Sequence, residues 1–522
     1  MTNLAEPGTA TTATATPAGP NARRWAAVGI LSVCVLVPFM DVTMVSIDLP
    51  KIARELSATS TDMQWIVGGY MLICACGMLI VPAIGDRWGY RRTLLTGLAV
   101  FGGASAVCAW APDVPVLLAG RLLMGVGAAV VLPMRVGITT AMFEPAQRRR
   151  AFGVGTATVA TATPLGPIAG GALLDHYWFG SLFLLDVIIV ALALPLIAWL
   201  VPESRPGRAG RPDLLGIGLA SGALLSGFCA LVVARHGLAL VGWLLLAAAF
   251  LTGFVRRQRV AEHPVIDLAA FGRPTFIWSQ LTITLANLAW TGAIFLLPLY
   301  FEAVLHTSAV GVALLLLPFA ALVAVGSLLS DRAAHRIGVR GVVVAGLLLF
   351  AAGLTLLSFI TPHSNYALIL VALGLGGLGG GMPQAPALVA AMGALPPRSA
   401  ANGPGFINAL RHAGGAFGVA AGGLVVTAAY LRALPPLADL PAGAAETIRA
   451  GVVNVAGVAD RLGPGGDALR AAAYAAFTHG VSLAMRGGAL LLVTAAVVAM
   501  VLPERATPAP VVATGARPDP EG

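Results

Sequence analysis

Charged side chains are scarce in this 522-residue chain, at 11% of the total, against about 25% in an average soluble domain. With 58% hydrophobic residues and a further 63 glycines, the apolar content exceeds what one large soluble core could bury, which excludes a soluble enzyme. Lysine is almost missing: Lys51 stands alone among 32 basic residues. The five cysteines (Cys34, Cys74, Cys76, Cys108 and Cys229) all fall inside apolar runs, so neither a disulfide framework nor a metal-ligand spacing is available. HExxH, a P-loop, a GxSxG between strand and helix, and any Cys/His cluster are lacking. That argues against a membrane-embedded enzyme and a nucleotide-driven pump, and no cofactor or metal is expected. A net charge of +9 does not indicate nucleic acid, because the arginines lie in short clusters between apolar runs rather than on one face with interleaved aromatics.

What is present is a succession of apolar runs, each long enough to cross about 30 Å of hydrocarbon as a helix, with a mean hydropathy of +0.87. Fourteen spans are expected. The first seven are 26–47, 63–84, 94–110, 115–141, 151–174, 180–201 and 213–234. The others are 237–255, 275–301, 309–330, 341–360, 366–392, 402–430 and 479–502. An even count puts both ends on one side of the membrane, and the basic residues decide which side. The terminal segments and the loops on their side hold 21 of them, the opposite loops 7. Both termini are therefore expected in the cytoplasm of a bacterial cell, in a multi-pass protein of the cytoplasmic membrane. Residues 1–25 read as a disordered tail and 503–522 as a second one; the first apolar run is too long for a cleaved signal.

The segments GDRWGYRR (85–92) and SDRAAHRIGVR (330–340) share an Asp-Arg opening, a glycine and a trailing basic group, a trace of internal symmetry. On that reading residues 26–201 form one six-helix half and 261–502 the other, with 202–260 as an inserted helix pair and 431–470 as a long external loop. Two parallel halves with a path at their interface are a transporter plan.

Several segments then carry a family likeness. They are MDVTMVSIDLP (40–50), MQWIVGGYML (63–72), GDRWGYRR, LLAGRLLMGVGAAVVLP (117–133), TATPLGPIAGG (161–171), NALRHAGGAFG (408–418) and AAFTHG (475–480). In this order the chain resembles the major facilitator superfamily, and within it the fourteen-helix drug:proton antiporters. The stretch DHYWFGSLFLLDV (175–187), leading to PESR (202–205), looks closest to the subgroup that exports quaternary ammonium compounds and dyes. The resemblance implies an all-α polytopic fold of two six-helix halves plus two inserted helices. It also implies an antiporter signature in Gly166, Pro167, Gly170 and Gly171, and a loop motif in Gly85, Asp86, Arg87, Gly89, Arg91 and Arg92. In the family that loop touches neighbouring helix ends and stabilises one access state. Here Pro82 stands where the family has a glycine. Apart from the likeness, small residues allow close helix approach and Pro167 lets a helix bend, whereas the arginines of the loop also serve orientation.

Ionisable groups inside the spans are the sharpest signal, since each costs at least about 2.5–3.5 kcal/mol near the bilayer centre. Asp41 in the first span and Arg121 in the fourth come to the same estimated depth, about 9 Å at 1.5 Å per residue, so an ion pair is feasible. The resemblance ties both to proton coupling. Asp186, where the family generally has asparagine, is a second acid for protonation or for attracting a cation. Arg135, Asn408, Arg411 and His412 join Asp186 as candidates for the substrate cavity. Asp48 is expected to be a solvated helix end near Lys51, and Glu302 a solvated cap.

The expected function is proton-coupled antiport that exports amphipathic drugs, lipophilic cations first. Its partners would be the drug, protons and the lipid bilayer, without nucleic acid, and the working unit a monomer. Arg135 and Arg411 would suit an anionic or neutral metabolite instead. A uniporter and a non-transporting membrane receptor are the remaining alternatives.

Overall fold

In hydrocarbon a backbone N–H or C=O finds no water, so a chain of this composition satisfies its peptide groups within helices. The computed structural model describes residues 21–205, 212–233, 237–262, 264–361, 364–396, 403–437, 440, 442–462 and 464–501. Among these residues the regular structure is helical, without a strand. The long helices are α1 (Asn21–Glu55), α2 (Ser60–Trp88), α3 (Tyr90–Ala109), α4 (Val114–Met142), α5 (Pro145–Leu174), α6 (Ser181–Leu200) and α7 (Leu214–Val232). They continue with α8 (Gly237–Val260), α9 (Pro274–Ala303), α10 (Ala309–Leu357), α11 (Tyr366–Gly393), α12 (Gly403–Ala433) and α13 (Pro464–Val501).

Twelve helices among the described residues are long and apolar enough to cross a membrane, rather than the fourteen expected. Two causes account for the difference. The spans 309–330 and 341–360 lie in the single 49-residue α10, which breaks at Gly338. There φ is 77°, a left-handed backbone that glycine adopts without a Cβ penalty. In α5, which runs from Pro145 to Leu174, the apolar helix counted among the described residues is Pro164–Leu174. Elsewhere helices outrun the apolar runs. α1 continues to Glu55, past the expected limit at 47. The expected loop 431–470 holds the short helices Ala442–Ala450 and Val455–Leu462 and the first turns of α13. The tails lie outside the described residues, except that 21–25 already belong to α1.

Helices α1–α6 pack on one another, as do α9–α13. The two groups meet where α5 lies on α10, α2 on α12 and α1 on α9. α7 covers the α2–α12 seam, with Phe228 wedged against Trp65 at 4.9 Å between ring centroids. α8 packs on α7 and leaves Leu238, Leu245 and Leu251 exposed, as lipid-facing leucines would be. One end of the bundle carries Arg91, Arg92 and Glu203; the opposite end carries Arg54, Glu302 and residues 442–462.

At the Arg54 end the two groups are closed on each other. Arg54 of α1 forms an ion pair with Glu302 of α9, so Glu302 is not the solvated cap expected. Gly171 of α5 lies against Val310 and Ala313 of α10, with no room for a side chain. Ser60 Oγ donates to Ala450 O at 2.9 Å, and Tyr430 Oη to Ile448 O at 2.9 Å, which fastens the short helices over α2 and α12.

Candidate functional site

Asp41, Arg121 and Asp186 come from α1, α4 and α6, and the fold gathers all three. Arg121 is fully buried and Asp41 is 1% exposed. Arg121 Nη1 donates to both carboxylate oxygens of Asp41, at 2.8 Å each, and Nε donates to Ile66 O at 3.1 Å. That carbonyl is offered by a π-helical turn, Trp65–Gly69, inside α2. Such a turn disturbs the i→i−4 ladder and recurs at functional sites. The guanidinium lies 4.3 Å from the centroid of the Tyr70 ring and 5.8 Å from that of Phe183. Tyr70 Oη in turn reaches Pro38 O at 3.5 Å.

Asp186 sits one turn beyond Phe183 on α6, so it shares that face. It is fully buried and interacts electrostatically with both Asp41 and Arg121. Neither of its oxygens has a hydrogen-bond partner among the described residues, nor has Arg121 Nη2. Asp41 binds the guanidinium and Asp186 lies within electrostatic reach of it, so a single proton balances the three charges.

A second polar group forms around Phe39, two residues before Asp41. The Arg411 guanidinium lies 5.8 Å from the Phe39 ring centroid, and Nε reaches Asn287 Oδ1 at 3.5 Å. His412 lies 6.4 Å from Phe39, ring to ring, with both ring nitrogens buried and without a hydrogen-bond partner among the described residues. Asn408 turns away, donating Nδ2 to Pro404 O of its own helix at 2.9 Å. Arg135 is apart from both groups: it is buried against Gly155 of α5, and its Nε and Nη2 lack partners among the described residues. The substrate candidates therefore do not form one cluster. Arg411 and His412 meet, Asp186 joins Asp41 and Arg121, and Arg135 stands alone.

The glycine and proline run of α5 faces two helices. A methyl at Gly166 would strike Thr43 Oγ1 and come 3.0 Å from Met40 O, whereas at Gly170 it would find ordinary contact with Met44 at 3.5 Å. Gly171 meets α10, as described above, and Pro167 is buried between these positions. The run thus touches α1 on the Asp41 side and the second helix group at the Arg54 end.

The 85–92 segment is fastened within the first group. Tyr90 Oη donates to Asp86 Oδ1 at 2.7 Å. Gly89 takes φ 101°, with Glu203 against its open side. Glu203 accepts from the backbone N–H of Arg91 at 3.1 Å and of Arg92 at 3.3 Å, a carboxylate at the N-terminus of α3 where the helix dipole favours it. Arg91 Nη1 donates to Ala198 O and Val201 O at 3.3 and 3.1 Å, beside the end of α6. Gly85 packs against Met134, while Arg87 and Arg92 are exposed.

Four contributors escaped the sequence reading. Phe39, Tyr70 and Asn287 are single residues within apolar runs, and Glu203 follows a helix end. Asn287 alone carried a signal, as a lone amide in the middle of a span.

Comparison with known proteins follows the same lines. The Major Facilitator Superfamily pattern matches residues 31–419. The multidrug efflux pump LfrA of Mycolicibacterium smegmatis is 31% identical over 488 residues, which cover 91% of this chain and 95% of LfrA. The puromycin resistance protein pur8 of Streptomyces alboniger is 31% identical over 424 residues, covering 79% and 84%. Among solved structures, a bacterial homolog of the human lysosomal transporter Spinster, inward-facing and occupied, superposes with a TM-score of 0.67. It is 17% identical, covering 92% of this chain and 97% of that one, and shares the fold.

Proposed function

The chain belongs to the major facilitator superfamily, and from that premise we propose that it is a proton-coupled antiporter that exports amphipathic drugs. It is a multi-pass membrane protein whose relatives are multidrug efflux and resistance pumps. The observation that carries the coupling is the pair of buried carboxylates around Arg121. With Arg121 on Asp41, the unpartnered Asp186 holds the proton. Nη2 of Arg121 is free to turn toward Asp186 once that proton leaves, and Asp41 then takes one up. Each arrangement is neutral overall, and each favours a different access state, so a proton gradient biases the cycle.

Drug binding falls to the group around Phe39, where an aromatic face, Arg411, His412 and Asn287 converge between α1, α9 and α12. A lipophilic cation was the first expectation, with Asp186 as its attractant. A neutral or anionic drug is the second reading, and the geometry favours it: Asp186 belongs to the Arg121 set, whereas the groups beside Phe39 are basic or amide.

Fourteen crossings remain our reading. α10 would be about 74 Å long if straight, at 1.5 Å per residue, more than twice the hydrocarbon thickness, and it breaks at Gly338. α5 has 30 residues, enough to span. The basic-residue bias supports a cytoplasmic Arg91 face and an outer Arg54 face, with both termini in the cytoplasm of a bacterial cell. We read the two helix groups as two halves and α7–α8 as an inserted pair, a division that their packing supports. Because the seam lies within one chain, a monomer suffices, and transport requires no enzymatic step, cofactor or metal.

The test is a substrate panel in inverted membrane vesicles, with a cation, a neutral compound and an anion, while pH is recorded. Drug uptake accompanied by proton exit from the vesicle is expected. Uptake indifferent to uncouplers would replace antiport with uniport, and no uptake of any class would favour a receptor.

A further inference from the structure

Asp48 is a buried acid that this cycle does not use. It was expected at a solvated helix end, but α1 continues to Glu55 and Asp48 is 0% exposed. Neither of its oxygens has a hydrogen-bond partner among the described residues. Burial strongly disfavours an ionised carboxylate without a partner, so the closed outer face suits the neutral acid.

The cations nearby are engaged elsewhere. The charges acting on Asp48 are Lys51, Arg54 and Glu55 of its own helix and Glu302 of α9; Asp175, just past α5, acts on Glu302. Lys51, at i+3, shares a helix face with Asp48. Yet its Nζ donates to Leu174 O at 2.8 Å and to Tyr177 O. Leu174 ends the glycine and proline helix α5 and Tyr177 follows it, so the Leu174 carbonyl has no intrahelical donor left. Arg54 is held by Glu302 across the two helix groups.

We infer that Asp48 is a proton-binding site of the outer gate, whose filling from the outer solution frees Lys51 to dock on the end of α5 and Arg54 to bind Glu302, closing the outer face. The proton comes from outer water and adds to a carboxylate oxygen; no other bond is made or broken. When the gate opens, water reaches Asp48, the proton departs, and the carboxylate draws Lys51 back along α1. The end of α5 then loses its cation and separates from α1. Closure on proton binding from outside is the order an antiporter needs, since the loaded carrier must turn inward. This inference rests on the proton-coupled reading above and adds a second proton site to it, seven residues along α1 from Asp41.

The test uses the full chain, purified and reconstituted in liposomes. Spin labels on the turns at 56–59 and 304–308 report the outer distance as external pH is lowered from about 8 to about 4, into the ordinary range of an aspartate carboxylate. The parent is expected to shift toward the short, closed distance as the bath is acidified. Asp48→Asn, which mimics the protonated acid, should stay closed at every pH. Asp48→Ala should likewise lose the response, and Lys51→Gln should lengthen the distance at every pH. An unchanged pH response in either Asp48 variant, or none in the parent, overturns the inference. Drug-driven proton flux in the same liposomes is read separately. Its absence from the parent would sink antiport itself, whereas its presence beside a pH-responsive Asp48→Asn gate would sink only the role of Asp48.

Discussion

Two interior arginines of this protein have opposite surroundings: Arg121 is fully buried, whereas Arg411 is half-buried. Arg121 of α4 is held by both oxygens of Asp41, by the Ile66 carbonyl and by the Tyr70 ring. Arg411 of α12 has one long contact to an amide, a phenylalanine ring at 5.8 Å, and the unpartnered His412 beside it. The cost of burying Arg121 is offset by a carboxylate, whereas the half-buried Arg411 has no carboxylate partner among the described residues. The contrast separates two tasks. In the proposed cycle the Arg121 set, with Asp186 and Nη2 still unpartnered among the described residues, changes state by moving a proton, while the Arg411 set is completed by a ligand. Asp41 and Phe39 are two residues apart on α1, so one helix carries both.

The strongest way to break this contrast is Arg121→Ala, which strands two carboxylates in the interior. Losing one partner of a buried pair costs about 3–5 kcal/mol, so a lower unfolding temperature in detergent and no drug export are expected. Near-parental stability would show that the set is not the fixed centre described. Arg121→Lys should rescue little, because a compact ammonium cannot reproduce the guanidinium's several directed bonds.

Next come the acids themselves. Asp41→Asn and Asp186→Asn should each abolish drug-induced proton release from purified protein while drug binding persists, since the amide resembles the protonated form. If only one variant loses release, the two carboxylates do not share the proton, and the surviving acid is a bystander. The α5 run tests whether the two regions move together. Gly166→Leu and Pro167→Leu should lower turnover several-fold with the protein still in the membrane. Gly166→Ala should also slow transport, whereas Gly170→Ala, which meets only ordinary contact, should not; equal effects would reduce the run to general packing.

A smaller effect is expected at the second arginine. Arg411→Ala or His412→Ala should weaken an anionic drug by about tenfold, near 1.4 kcal/mol, and a lipophilic cation less. The reverse order would restore the cation reading. Smallest is Asp86→Asn, which weakens a single hydrogen bond from Tyr90, about 1 kcal/mol. Turnover should fall modestly through the balance of access states, and inverted topology as its only effect would leave the loop an orientation signal.

Much of the fold was legible because membrane insertion is decided locally. Apolar runs, glycines and basic clusters lie within a few residues of the structure they specify, and they marked nearly every helix. The errors came where that local signal fades: α1 and α13 continue beyond their apolar runs, whereas the two runs of α10 are parted by the break at Gly338. Depth along the helices, counted at 1.5 Å per residue, was enough to bring Asp41 and Arg121 to one level. It could not say which way Asn408 turned.

The sequence by itself determined a helical membrane protein of this superfamily, with ionisable residues too costly to be incidental at 41, 121, 135, 186 and 411. Only the tertiary structure decided that Asp186 joins Asp41 at one arginine, that a π turn in α2 presents the Ile66 carbonyl to it, and that Asp48 is buried while Glu302 is bound. The reason is geometric. Hydropathy and helical period act between near neighbours in the chain, whereas a pair such as Arg54 and Glu302 depends on how α1 and α9, far apart in sequence, are rotated and brought together.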